Sequence, residues 1–208
     1  MKVVAILGSP RKKGNTATGL QIMREEFEKQ NIAFEVLNLG QQEIRGCIAC
    51  NKCFEMQNNT CIIQDVTNKA IQKMTEADGI ILTSPVYWSG IAGTIKCFLD
   101  RAFLVSTANG NLFRGKVGTA FVCARRTGGS QTLAGLYNYL TYSEMIVPTS
   151  NYWNVIHGEG LNEVLQDQEG IQILQVLARN MIWMLQLREK GLLKQPEAVP
   201  KIMTNFIR

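Results

Sequence analysis

A chain of 208 residues is long enough to bury the core of one α/β domain and too short for two typical domains with a linker. Its 46% hydrophobic and 19% charged residues exclude disordered and fibrous classes, and its longest apolar stretch, around Met181 to Leu187, falls far short of the ~20 residues a membrane span requires. The net charge of +5 is divided between separate clusters, Arg11-Lys12-Lys13 and Arg125-Arg126, which suits a small anion and not the continuous basic stripe of a nucleic-acid binder.

The opening run Lys2 to Leu7 is continuously apolar, as a strand covered on both faces is, and it enters a Gly-Ser-Pro turn with no signal-peptide cleavage site. A cytoplasmic location is therefore expected. A helix follows over about Asn15 to Gln30, with Leu20, Met23 and Phe27 on one face. Phe34 to Leu39 reads as the second strand, and Gly40 to Gln64 as a long irregular segment, which in a compact domain signals function or mobility. Asp65 caps a helix running to Ala77, and Gly79 to Ser84 is a third, buried strand. A loop from Pro85 to Ile91 leads into a helix through Phe98 and Leu99. Lys116 to Cys123 is the fourth strand, Gln131 to Tyr142 a helix, Met145 to Pro148 a short fifth strand, and Glu169 to Glu189 the last long helix.

Alternating strands and helices predict an α/β fold, a five-stranded parallel sheet in the order 2-1-3-4-5 with helices on both faces. The expected layout is one domain over 1–190, with a cysteine-rich loop at 40–64, and a C-terminal arm over 191–208 that contains Pro196 and Pro200. Ligands of such sheets sit beyond the carboxyl ends of the strands where the order reverses, which selects the loops 8–16, 84–91 and 124–130.

The first of these loops places Ser9, Arg11, Gly14, Asn15 and Thr16 directly before a helix. Hydroxyls at both ends, a basic centre and a helix N-terminus meet the needs of a phosphate monoester. The spacing is neither G-x-G-x-x-G nor a P-loop, so a monophosphate cofactor fits better than a dinucleotide. The competing reading is a basic surface turn in which Asn15 or Thr16 only caps the helix.

Cys47, Cys50, Cys53 and Cys61 form C-x2-C-x2-C-x7-C within the long loop. Three cysteines at successive C-x2-C spacing can wrap one iron–sulfide cube, and a fourth can close it. A structural zinc site, or free thiols that form a regulatory disulfide, are the alternatives. Cys97 and Cys123 stand among apolar neighbours and read as ordinary buried thiols.

Gly8-Ser9-Pro10-Arg11 with Gly14-Asn15-Thr16, then Ser84-Pro85-Val86-Tyr87-Trp88, Lys96 through Phe98 to Asp100-Arg101, Arg125-Arg126-Thr127-Gly128-Gly129 and Gly158-Glu159-Gly160 together resemble the NADPH-dependent FMN reductase group of the flavodoxin superfamily. The likeness spans nearly the whole chain and implies a flavodoxin-like sheet. It further implies that the first loop binds the FMN phosphate, that Pro85, Val86, Tyr87 and Trp88 run beside the ribityl chain and flavin ring, and that Arg125, Thr127, Gly128 and Gly129 edge the isoalloxazine. Tyr87 and Trp88 offer flat apolar faces for that ring; the alternatives are that Trp88 buries area in a core or interface and that the two glycines only shape a helix entry. The cysteine spacing resembles iron–sulfur flavoproteins, a branch of the same family that carries a [4Fe–4S] cluster near FMN. Its match to the ferredoxin run is partial, since Ile62 and not Pro follows Cys61.

On this reading the flavin performs the chemistry and no side chain need be a nucleophile or general base. The expected function is an oxidoreductase passing electrons from NAD(P)H through FMN to a small-molecule or protein acceptor. An electron carrier without nicotinamide turnover, or a clusterless flavin-binding regulator, are the alternatives. His157, the only histidine, has no second ligand or nucleophile to serve and reads as a surface residue. Apolar residues on more than one face of the last helix (Ile173, Leu174, Leu177, Met181, Ile182, Trp183, Leu185) suggest a homodimer or higher homo-oligomer.

Overall fold

The computed structural model describes residues 1–191, 194–199 and 201–204. In chain order its elements are β1 (Lys2–Leu7), α1 (Asn15–Glu28), β2 (Ala33–Asn38), α2 (Lys52–Met56), α3 (Val66–Glu76), β3 (Gly79–Tyr87), β4 (Gly90–Ile91), α4 (Gly93–Ala108), β5 (Val117–Ala124), α5 (Gly129–Tyr142), β6 (Val155–His157) and α6 (Gln168–Glu189). The sheet runs β2-β1-β3-β5-β6, all parallel, and β4 folds back antiparallel on the end of β3. This is the flavodoxin-like arrangement, with the order reversing between β1 and β3.

Alternation along the buried strands divides the core in two. Val4, Ile6, Ile80, Leu82, Ala120 and Val122 face one side, against α3, α4 and α5. Val3, Ala5, Leu7, Ile81, Phe121 and Ile156 face the other, against α1 and α6. The wide apolar stripe of α6 is consumed within the chain. Ile173, Leu174, Leu177, Met181, Ile182 and Leu185 are all buried, and only Trp183 of that group stands out in solvent.

The edge strand departs from expectation. Met145 to Pro148 contributes a single bridge, Ile146 to Val117, and the paired strand is β6, seven residues beyond Pro148 at its start. Ile146 exchanges two bonds across the start of β5, donating to Lys116 O just before it and accepting from Gly118 N, each 2.9 Å. Pro148 then has no N–H with which to continue the ladder. The chain loops out and returns at Asn154, whose buried side chain donates to Ala120 O at 2.9 Å, before β6 pairs with Val122, Cys123 and Ala124. The long segment after β2 is irregular as expected, apart from the short α2. Residues 194–199 and 201–204 carry no helix or strand, and Pro200 lies outside the described residues.

α1 and α6 are fastened by Glu26, a buried residue whose carboxylate accepts from Arg179 at 2.9 Å and from Lys29 at 2.6 Å. The Arg179 bond, then the Lys29 bond, hold its carboxyl below the usual 4.5. A depressed carboxylate pKa stabilises the fold above the unfolded-state value, and that contribution is lost as pH falls through the depressed value. Arg179 is largely exposed, so solvent screens the network and its contribution is small. Glu26→Gln is expected to lower unfolding stability modestly at pH 7 and to converge on the wild type in acid, below the depressed pKa. Urea titrations at both pH values check it; an equal deficit at each would show that Glu26 acts by packing alone.

Candidate functional site

Where β1 ends, Gly8 lies so close to β3 that a Cβ there would overlap the Thr83 carbonyl oxygen and meet Ile95 Cγ1 at 2.6 Å. Only glycine permits that approach. The Gly8 amide donates to Thr83 Oγ1 at 3.3 Å, and Thr83 Oγ1 donates to Ile6 O at 2.7 Å. The loop then curls on itself: Arg11 N donates to Ser9 Oγ at 3.1 Å and Gly14 N to Arg11 O at 3.0 Å.

The first helical bond of α1 runs from Thr18 N to Gly14 O, and Gly14 supplies no capping side chain. The amides of Asn15, Thr16 and Ala17 are thus left without helical acceptors, at the positive end of a 14-residue helix. Ser9 and Thr16 are buried beside them, while Arg11, Lys12 and Lys13 are exposed around the rim. Asn15 turns its side chain elsewhere. Its amide nitrogen donates to Gly160 O at 2.9 Å and its oxygen accepts from Val164 N at 3.4 Å, which ties the loop after β6 to the start of α1. The Cys123 thiol donates to Gly158 O at 3.9 Å, and burial pushes it up to about 11.

The second loop is a two-residue hairpin between β3 and β4, with Val86 opposite Ile91 and Tyr87 opposite Gly90. Trp88 and Ser89 form its tip, both at positive φ (50° and 54°), a turn that ordinarily takes glycine or asparagine. Trp88 is fully exposed and Tyr87 half-exposed. Ser84 anchors the hairpin base, accepting from Ala92 N at 3.0 Å. The third loop abuts the tip: Gly128 has φ 84°, and a Cβ on it would meet Ser89 Cα at 2.8 Å. Arg125 lies 3.6 Å from Glu159, both largely exposed. Ser9 and Thr16, the Tyr87–Trp88 tip and the 125–129 turn therefore gather at one end of the sheet.

The cysteines form a second locus. Cys47, Cys50, Cys53 and Cys61 line one small recess of about 20 Å³, closed by Ile62, Ile63, Arg101, Leu104 and Val105. Cys53 is buried, Cys61 intermediate, and Cys47 and Cys50 sit on the exposed rim. Burial, with Cys61 and Cys47 nearby, raises the Cys53 thiol above its ordinary value. Ala49, Asn51, Gln57 and Asn59 all adopt positive φ, so this loop is bent sharply at several points. Among the described residues no three Cys, His, Asp or Glu side chains are set to hold a single metal ion. The recess lies beside the middle of α4, eight residues from its start at Gly93, or about 12 Å along the axis at 1.5 Å per residue.

Three supports of these loci act through long-range contacts that no local pattern encodes. Thr83 reads as one more strand residue yet holds the first loop. Asn68 brackets Cys61, accepting from its amide at 2.7 Å and donating to its carbonyl at 2.9 Å. Arg101 reaches the recess from α4. A polar residue in a buried strand was the only advance signal for Thr83. A cavity of about 1090 Å³ lies at the opposite end of β5 between Arg114, Glu144, Arg188 and the 194–196 segment; it is remote from the strand ends where the order reverses, so size alone is no guide here.

The architecture is that of the flavodoxin-like fold. The archaeal flavodoxin structure overlays with a TM-score of 0.55 at 14% identity, covering 88% of this chain and 99% of the other. RosB, solved with a riboflavin-phosphate intermediate, overlays at 0.69 and 14% identity over 100% and 92% of the two chains. The sequence pattern of the NADPH-dependent FMN reductase family matches residues 1–160, and the chain belongs to that family. It is an FMN-dependent oxidoreductase. It is 34% identical over 197 residues to an iron–sulfur flavoprotein of Methanocaldococcus jannaschii, covering 91% of this chain and all of that one. No helix among the described residues is long and apolar enough to cross a membrane.

The two bonds of Asn15 make it a structural residue by side chain. Asn15→Ala is expected to cost about 1–2 kcal/mol of stability in the cofactor-free protein, for two lost hydrogen bonds in a part-buried site. Urea unfolding measures this, and an unchanged midpoint would mean that the loop after β6 is held by other contacts.

Proposed function

We propose that this chain takes electrons from NAD(P)H on bound FMN and passes them to an acceptor, with an iron–sulfur cluster at Cys47, Cys50, Cys53 and Cys61 as the second redox centre. The observation that carries the flavin part is the uncapped start of α1, where three amides without acceptors stand beside two buried hydroxyls. That set suits the dianionic phosphate of FMN. Ser9 Oγ and Thr16 Oγ1 hold its oxygens, the amides of Asn15, Thr16 and Ala17 complete the cradle, and Arg11 offsets charge from the rim. Gly14 contributes by supplying no competing cap.

Pro85, Val86, Tyr87 and Trp88 flank the ring on one side, and Arg125, Thr127, Gly128 and Gly129 on the other. The exposed aromatic faces of Tyr87 and Trp88 exclude water from the ring and give a nicotinamide a surface to approach. FMN, when bound, supplies hydride acceptance and one-electron release. Arg125 favours the anionic reduced form by its charge, with Glu159 setting its position.

For the cluster, the support is an all-sulfur donor set opening on one recess, together with the iron–sulfur relative. In its present form the recess admits about one water, so Cys47 and Cys50 on the exposed rim are the ligands that move outward to enclose a cube.

Three measurements test the reading. Ser9→Ala combined with Thr16→Val is expected to weaken FMN binding by about 2–4 kcal/mol while leaving riboflavin binding unchanged; equal losses for both ligands argue against the phosphate assignment. Anaerobic stopped-flow mixing with NADPH should bleach the flavin rapidly, and the absence of bleaching favours a carrier without nicotinamide turnover. Cys50→Ala should abolish bound iron while FMN binding and far-UV circular dichroism persist, because Cys50 is exposed on the rim of the recess and takes no part in the buried core. Wild-type protein reconstituted anaerobically that holds zinc, or neither iron nor sulfide, refutes the cluster.

A further inference from the structure

Among the described residues the largest fully buried side chain is a cation. Arg101 on α4 is 1% exposed, and a guanidinium so placed must find acceptors for its five N–H bonds. Nη1 donates to Asp65 Oδ2 and, at 3.2 Å, to Arg45 O. Nη2 donates to Asp65 Oδ1 at 3.1 Å and to Ile63 O at 2.9 Å. Nε is turned onto the sulfur of Cys61 at 3.4 Å. The acceptors thus include the backbone two residues before Cys47, the backbone two residues after Cys61, and one of the four sulfurs.

Anchoring the loop required only the carbonyls and Asp65. The contact to Cys61 goes further, because a neutral thiol is a weak acceptor whereas a thiolate bound to iron is a strong, charge-assisted one. Asn68 clamps the Cys61 backbone through both its amide and its carbonyl, which keeps that sulfur directed at Arg101. The other hydrogen bond to a cluster sulfur comes from a neutral donor, Ala49 N to Cys47 Sγ at 3.4 Å. Among the described residues a buried positive charge meets only the Cys61 sulfur.

We propose that Arg101 is a positioning residue that sets the reduction potential of the iron–sulfur centre through an N–H···S bond and a buried charge at Cys61. The proposal rests on the cluster reading above. One electron from the reduced flavin adds one negative charge to the iron, sulfide and thiolate unit; no bond breaks, and Arg101 stays protonated in both states. A fixed cation and a donor at one sulfur stabilise the more negative state more than the other, and a low-dielectric surround strengthens the difference. The potential is therefore higher with Arg101 than without it.

The experiment is a redox titration of the holoprotein, followed by electron paramagnetic resonance for the cluster and by absorbance for the flavin. In Arg101→Met the ratio of reduced to oxidised cluster at a fixed solution potential should fall at least about tenfold, equivalent to about 59 mV for a one-electron couple. Arg101→Lys, which restores the charge without the fork, should recover part of it. The flavin potential in the same samples should not move. A purely structural anchor would instead lower iron content and melting temperature and leave the potential of the remaining clusters unchanged, which overturns the proposal. Should neither variant load iron, wild-type protein grown on 15N-arginine decides: pulsed resonance of the reduced cluster should show coupling to an arginine nitrogen, and no coupling rules the bond out. A wild type that binds no iron and sulfide refutes the cluster reading and this inference together. Normal iron with an unmoved potential refutes Arg101 alone.

Discussion

The site depends on how closely β1 and β3 approach where their chains diverge. Both strands point the same way, yet the chain after β1 turns to the α1 and α6 face while the chain after β3 turns to the α4 face. The gap left between them is the crevice. Thr83 closes its floor, accepting from Gly8 N and donating to Ile6 O, and no side chain larger than hydrogen fits at position 8. With that contact fixed, the loop through Ser9 and Gly14 has one path into α1, and the free amides of the helix are aimed into the crevice. A one-methyl intrusion there would displace the loop from the strand that carries the hairpin, since interiors packed at crystal density do not yield locally.

α4 carries this order from the flavin end of the molecule to the cysteine loop. Its start is held by the Ala92 bond to Ser84 at the hairpin base, and its middle presents Arg101 to the recess. Between these points Asp100 accepts from Lys96 at 2.6 Å and from the Tyr139 hydroxyl, pinning α4 to α5; burial, with the Asp100 charge, pushes that hydroxyl up to about 12. The helix is thus fastened on the sheet side by apolar packing and at its flank by a hydrogen-bonded trio. A loop with four residues at positive φ is costly to order. Arg101, Asp65 and Asn68 supply bonds that offset this cost.

The buried strands were legible because a parallel strand covered on both faces is an unbroken apolar run, and three such runs, at 2–7, 79–84 and 116–123, fall within a residue or so of β1, the buried part of β3, and β5. α1, α3, α5 and α6 were legible from periodicity and, for α3, from the Asp65 cap, whose side chain accepts from Thr67 N. The edge was not. Met145 to Pro148 has the composition of a strand, but pairing there ends at a proline, and the three residues that do pair are too few to leave a pattern. The apolar breadth of α6 was visible, while its cause, contact with the sheet on one side and α1 on the other, was not.

By itself the sequence determined the order of elements, hence the parallel sheet and its reversal point, and the chemical types available at each loop: hydroxyls and bases before a helix, aromatics after the third strand, four thiols after the second. These are properties of local pattern, and local pattern survives without coordinates. Tertiary structure alone decided what each side chain spends its bonds on. Asn15, a ligand candidate by position, turns to Gly160 and Val164; Asp65, a helix cap by spacing, is also the counter-ion of Arg101; and Arg101, forty residues from Cys61 in the chain, lies against its sulfur. A hydrogen bond between residues far apart in sequence exists only once packing has brought them together, and no periodicity or motif within one segment encodes the identity of its partner in another.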